Sequence, residues 1–370
     1  MKVLIATGLY PPEVGGPATY TRVLETELPR SGITVSVLPF SRVRRLPKII
    51  RHVSYCWHAF RMARDADIVY AQDPVSVGFP AMLAAKLSGK PFLLKVVGDY
   101  AWEQASQRWG FAGTPEEFQH AELSIPPKFL RALERFIARQ AVRVVVPSKY
   151  LARIVSTWGV EKKRLVVIYN GMEKLADAGN KPVLRGLLKF RGKLIVSIGR
   201  LVPWKGFREL IVLLERMKKD MPDLKLMIIG SGPDMAELEA EAAARGLADD
   251  VIFTGALPRD VLLRYVRLSD VFVLNTRYEG FSHQILEVMA VGVPVVTTAI
   301  GGNPEAILNE KNGFLVTPND LKKMEQIIVR LLTDATLRAR ITAAGKRTVA
   351  GFTNERMARE TAALLKQAAG

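Results

Sequence analysis

Short, almost wholly apolar runs alternate with segments of helical periodicity along the entire chain. Residues 3–6, 35–38, 68–70, 92–96, 144–146 and 165–168 form one series, and residues 194–198, 226–229, 251–253, 271–274 and 293–297 a second. A strand that is apolar on both faces must be covered on both, so the pattern predicts parallel sheets wrapped by helices. The rhythm breaks after Asn170 and Gly171, where Asp177, Gly179, Asn180, Lys181 and Pro182 show little apolar periodicity, and it restarts at Leu194. The fold class expected is therefore α/β, with two Rossmann-like, doubly wound domains over residues 1–175 and 193–345 and a linker over 176–192. Ligands of such sheets sit beyond the carboxyl ends of the strands, so two domains facing across a cleft would hold theirs there.

Composition narrows the partners. The net charge is +17, of which +11 falls in residues 1–175, and this favours anionic partners such as nucleic acid, anionic lipid or a phosphorylated substrate. No helix-turn-helix, zinc-finger or RNA-recognition pattern accompanies the charge, which argues against nucleic acid. The lone Cys56 forms no intramolecular disulfide, no basic-then-apolar leader precedes the first run, and no run approaches the roughly 20 residues that span a bilayer. A cytoplasmic protein is expected.

The chemistry-bearing residues follow strands. After the first run comes a glycine- and proline-bearing loop, residues 8–20, in which Gly15 and Gly16 lead into a helix whose amides suit an anion. After the first run of the second series, Gly199 and Arg200 are followed by Lys205 and Gly206; two fixed cations there suit a diphosphate. Gly230, Ser231 and Gly232 follow the next run, either as a plain turn or as a backbone that a nucleotide can approach. The densest segment holds Glu279, Gly280, Phe281, Ser282, His283 and Glu287. Its two carboxylates suit the vicinal hydroxyls of a sugar and a ribose, and the amides of Gly280, Phe281 and Ser282 open a helix whose dipole favours phosphate. Gly301 and Gly302 are read as a further turn of that kind.

Taken in order, the glycine loop, Gly199-Arg200 with Lys205-Gly206, and Glu279-Gly280-Phe281 through Glu287 resemble glycosyltransferase family 4, over nearly the whole chain. The resemblance implies the GT-B architecture and a retaining transfer from a nucleotide-diphosphate-sugar, a UDP- or GDP-sugar, to a glycan or lipid-linked acceptor. It implies that Arg200 and Lys205 hold the diphosphate, Glu279 the transferred sugar and Glu287 the ribose, that Gly16 closes over the phosphates, and that residues 346–370 form a helix returning to the first domain. It also implies same-face attack in which the leaving phosphate helps deprotonate the acceptor. Fixed cations and helix amides would then stabilise the charge on the departing diphosphate without a metal or any other cofactor.

Several features stand outside this pattern. Many relatives carry a histidine after the fourth strand, where this chain has Asp99; that carboxylate either orients a sugar or acceptor hydroxyl or caps the following helix. Asp65 and Asp67 precede a strand instead of following one and are read as surface residues, and His52 and His58 do not share a helical face, so no metal site is expected. His283 is open to a ligand role or a structural one. No Gly-x-Gly-x-x-Gly follows either first strand, which argues against a nicotinamide-dependent oxidoreductase. A catalytically inactive glycan- or nucleotide-sugar-binding protein of this fold is the other alternative, and Arg200, Lys205, Glu279 and Glu287 standing together speak against it.

Residues 42–64 carry Arg42, Arg44, Arg45, Lys48, Arg51, Arg61 and Arg64 with no acid among them. Leu46, Ile50, Val53, Trp57 and Phe60 recur at helical spacing. Either this stripe packs on its own sheet, leaving a solvated basic face, or the helix lies on an anionic membrane surface at the inner face of the cell membrane.

Overall fold

The computed structural model describes every residue except Val14, Lys174, Ala176 and Asp177, and every side chain among these but that of Lys48. Val14 of the glycine loop, Asp177 of the expected linker and the Lys48 side chain thus lie outside the described residues. The chain divides into two compact units, residues 1–171 with 353–370, and residues 172–352.

In the first unit, strands β1 (Lys2–Thr7), β2 (Thr34–Pro39), β3 (Ile68–Ala71), β4 (Phe92–Lys95), β5 (Arg143–Val146) and β6 (Leu165–Val167) form one parallel sheet in the order β2-β1-β3-β4-β5-β6. Helices α1 (Gly16–Glu27), α2 (Lys48–Arg64), α3 (Gly78–Leu87) and α4 (Tyr100–Arg108) follow the first four of its turns. Strands β3 and β4 are buried along their length, as their apolar runs require. The final helix, Asn354–Ala369, places Met357, Ala358 and Leu365 in one core with Val3, Ile5, Leu24 and Tyr70. Under it lies the buried Lys95, whose ammonium donates to Asn170 Oδ1 at 3.1 Å and stands 3.1 Å above the Tyr20 ring. Burial drives this lysine well below the usual range, because desolvation disfavours its charged form.

In the second unit, β7 (Lys193–Ile198), β8 (Leu224–Ile229), β9 (Val251–Gly255), β10 (Val271–Leu274), β11 (Val295–Thr298) and β12 (Phe314–Val316) form a second parallel sheet, ordered β12-β11-β10-β7-β8-β9. Sequence periodicity misses β12, which is only 3 residues long.

Three expected boundaries move. The division falls between Gly171 and Met172, earlier than the expected 175. The stretch expected to be a linker contains the helix Lys181–Leu187, held to the second unit by charge: Lys181 Nζ and Arg185 Nη2 each lie 2.7 Å from an Asp270 carboxylate oxygen. Residues 346–349 still belong to the helix Ala335–Val349 of the second unit, and the return to the first begins at Thr353, whose hydroxyl caps the last helix by accepting from Arg356 N at 3.1 Å.

The basic helix α2 turns a different face to its sheet than the stripe implies. Tyr55, Ala59 and Ala63 are buried, and Tyr55 Oη donates to Leu38 O at 2.7 Å. Leu46, Ile50, Val53 and Trp57 of the stripe are exposed instead, which overturns packing of the stripe on its own sheet.

Candidate functional site

In the second unit the loops after β11, β10, β7 and β8, four neighbours in the sheet, bring most of the expected residues together. Lys205 ends a single 3-10 turn, Pro203–Lys205, after β7. Its Nζ lies 2.6 Å from Glu279 Oε2, in the loop after β10, and each side chain is only 13% exposed. Backbone bonds fix the two loops to each other: Trp204 O accepts from Arg277 N at 2.7 Å and from Thr276 Oγ1 at 3.2 Å. Gly199 follows β7 as a buried residue, while the Arg200 side chain is exposed and its guanidinium makes no hydrogen bond or ion pair among the described residues.

Gly232 serves contact between loops. A Cβ there would lie 2.1 Å from Leu201 O, and Leu201 N donates to Ser231 O at 3.0 Å, so the turn after β8 is seated on the turn that carries Arg200. The helix expected to open at Gly280 starts at His283 and runs to Val291. Ser282 is its N-cap, accepting from Ile285 N at 3.4 Å, so Gly280 and Phe281 precede the helix; the cause is the capping preference of serine over glycine and phenylalanine. Phe281 is buried with its ring 5.6 Å from that of Phe352.

Glu287, on the same helix, receives Arg259 Nε at 3.1 Å, and Arg259 also pairs with Glu173. Burial raises the Glu287 carboxyl above its usual range and Arg259 opposes that rise, so the arginine favours the ionised form.

In the first unit, Gly16 opens α1 with Gly15 at the cap and, among the described residues, no side chain capping its first amides. Arg44 of the basic segment donates to Gly8 O at 3.1 Å and pairs with Glu13, which ties that segment to the glycine loop. Asp67 Oδ2 accepts from Lys2 N at 2.7 Å at the amino-terminal edge of the sheet, on the exposed surface where sequence placed it.

Asp99 adopts the capping alternative. It is 1% exposed, and its oxygens accept from Trp102 N at 2.8 Å and Gln119 Nε2 at 2.7 Å. Glu134 accepts from Tyr100 N and Ala101 N of the same helix start at 3.2 and 3.1 Å. Burial pushes Asp99 up to about 6, and burial with the charge of Asp99 raises Glu134 as well. A carboxyl whose pKa is higher folded than unfolded contributes stability in full below its unfolded value, and that contribution is lost as pH rises through its folded value. The wild type should therefore lose stability relative to Asp99→Asn as pH rises through about 6. Chemical unfolding followed by tryptophan fluorescence below and above that pH checks this; a pH-independent difference would refute it.

Comparison with known families decides the broader question. Residues 13–171 match the profile described as glycosyl transferase 4-like domain, and residues 186–348 the profile described as glycosyl transferases group 1. The chain is a member of glycosyltransferase family 4.

This glycosyltransferase is 35% identical over 159 residues to a GDP-mannose-dependent alpha-(1-6)-phosphatidylinositol monomannoside mannosyltransferase of Mycolicibacterium smegmatis, a match covering 41% of this chain and 42% of that protein. The matched stretch thus spans less than half the length of that curated relative. Among solved structures, sucrose-phosphate synthase of Thermosynechococcus elongatus superimposes with TM-score 0.82 at 19% identity, covering 99% of this chain and 98% of that one. Anabaena HepE in complex with UDP-glucose gives TM-score 0.79 at 20% identity, covering 99% and 100%. These likenesses establish the GT-B fold.

Among the contacts of the candidate residues and the glycine loop, sequence reasoning missed those of Arg259 with Glu287 and of Arg44 with Gly8 and Glu13. Arg259 opens a helix, Arg259–Leu268, remote in sequence from Glu287, and nothing local distinguishes it from a solvated arginine.

Proposed function

We propose that this glycosyltransferase moves a sugar from a UDP- or GDP-sugar to a glycan or lipid-linked acceptor of cell-envelope or exopolysaccharide synthesis, with retention of configuration and without a metal. The observation that carries the reading is the Lys205–Glu279 pair, 2.6 Å apart at the carboxyl ends of neighbouring strands, with the exposed Arg200 in the same loop as Lys205. Arg200 and Lys205 hold the diphosphate, with Gly199, Gly232 and the Gly280–Phe281–Ser282 backbone lining the phosphates and nucleoside. Glu279 accepts from hydroxyls of the transferred sugar and Glu287 from the ribose. The bond between the anomeric carbon and the diphosphate oxygen breaks, a bond to the acceptor oxygen forms on the same face, and the acceptor proton passes to the departing phosphate. Fixed cations oppose the charge that develops on that phosphate. A cytoplasmic location, peripheral to the inner face of the membrane, suits a lipid-linked acceptor.

The test is calorimetry and thermal shift with UDP, GDP, ADP and their sugar conjugates in the presence of chelator. One base class should bind, and Arg200→Ala should weaken it about tenfold or more, as loss of a charge-assisted hydrogen bond does. If no nucleotide binds, the reading fails; binding without turnover on any acceptor would favour an inactive binding protein.

Arg259→Ala should raise the donor KM about tenfold with little change in kcat. The rise should steepen as pH falls, because Glu287 without its arginine takes up a proton at higher pH. Steady-state kinetics across pH check this, with Arg259→Lys expected to restore part of the loss.

A further inference from the structure

We propose that the outward face of α2 and α3 docks on an anionic bilayer leaflet and takes one hydrocarbon chain of that leaflet into the groove between the two helices. This deepens the membrane location proposed above and rests on it for its purpose, while its geometry stands independently of glycosyl transfer.

An amphipathic helix normally buries its apolar stripe, and α2 does the reverse. Its packed face is the small one of Tyr55, Ala59 and Ala63, whereas Ile49 is 82% exposed, Ile50 55%, Val53 65% and Trp57 52%. Across from them on α3, Leu87 is 72% exposed. Between the helices runs a groove of about 400 Å³, lined by Val53, Cys56, Trp57, Phe60, Leu83 and Leu87 among others, nearly all through carbon. A contiguous apolar surface rimmed by charge marks an interaction site.

Its rim identifies the occupant. Arg42, Arg45, Arg61 and Arg64 are exposed and pair with no carboxylate among the described residues, and Arg61 stacks its guanidinium 4.8 Å from the centre of the Trp57 ring. A second copy of the chain would set two such rims against each other, like charge on like. A leaflet of anionic lipid offers headgroups to the arginines and hydrocarbon to the stripe at once, the arrangement of an interfacial helix. The groove adds what a flat interfacial helix lacks, an apolar slot of about 400 Å³ next to an indole that reports on its contents.

The full chain is mixed, without donor or acceptor, with vesicles of phosphatidylcholine alone or with one third phosphatidylglycerol. Partitioning into the anionic vesicles should be at least about tenfold stronger and should weaken with salt. Chain-brominated lipids should quench tryptophan fluorescence, and Trp57→Phe should remove most of that quenching. Val53→Glu and Leu87→Glu, at exposed positions that leave the melting temperature unchanged, should each reduce partitioning about tenfold, and Arg45→Gln about fivefold. Equal partitioning into both vesicles, quenching that survives in Trp57→Phe, or a Trp57-dependent dimer in place of vesicle binding would overturn the proposal. Any of these would leave transfer to a soluble acceptor, assayed separately, as the surviving reading of the active centre.

Discussion

Lys205→Met should lower kcat by about 10² to 10³, the range found when one group aimed at developing charge is removed, while UDP or GDP binding weakens far less. The ammonium sits 2.6 Å from Glu279 Oε2 with both groups 13% exposed, so it is largely desolvated before any donor arrives. A cation held in that state has little solvent to reorganise when the diphosphate takes up charge. The same substitution strands a nearly buried carboxylate, and breaking a buried pair by removing one partner costs about 3–5 kcal/mol at full burial. Lys205→Met should thus be less stable than Lys205→Met with Glu279→Gln, which removes the stranded charge. Turnover should stay low in both. A double-mutant cycle measured once by urea unfolding and once by single-turnover kinetics separates the two roles. If the double variant recovered turnover with stability, the pair would be structural and the assignment of Lys205 to the diphosphate would be lost.

Much of this arrangement was legible in the sequence because it depends on local pattern. A run such as Ile68–Ala71 is apolar on both faces, and only a strand covered on both sides accommodates it. Glu279 and Glu287 stand on a loop and on the helix after it, which the strand at residues 271–274 announces, although the start of that helix at His283 was misplaced to Gly280. What was illegible depends on partners far along the chain. Helix Lys181–Leu187 is only 7 residues long, leaves Val183 and Leu187 exposed, and is held by Asp270, 85 to 89 positions away. The choice between cap and ligand for Asp99 turns on Gln119 and Glu134, and the side chain of Gln119 is itself spent on Pro115 O and Trp158 Nε1. The stripe on α2 was correctly seen as a stripe, but helical periodicity cannot say which face meets the sheet. Tyr55, Ala59 and Ala63 form a smaller buried face, closely fitted because two of the three are alanines.

Gly301→Ala should reduce kcat by about 10² with only a modest loss of stability, since a catalytic group displaced by about 1 Å can lose that much rate. Gly301 has φ 62°, and a Cβ there would lie 2.0 Å from Glu279 O. Gly302 N donates to that same oxygen at 2.9 Å. These two glycines therefore serve to press the turn after β11 against the backbone of the Glu279 loop, and the anion-binding turn read from the sequence is in the structure a backing for the carboxylate. Alanine faces two penalties at this position: left-handed strain of about 1–2 kcal/mol, and a contact that backbone must yield to relieve. Gly246 supplies the control, because it has φ 69° in the same unit with nothing among the described residues within 4 Å of its would-be Cβ. Gly246→Ala should show the strain alone, as a lower melting temperature with unchanged turnover. Equal turnover in the two variants would mean that Glu279 holds its place without this backing. A loss confined to Gly301→Ala would show that the loop after β11, which touches no substrate in the proposed reaction, sets the geometry of the group that does.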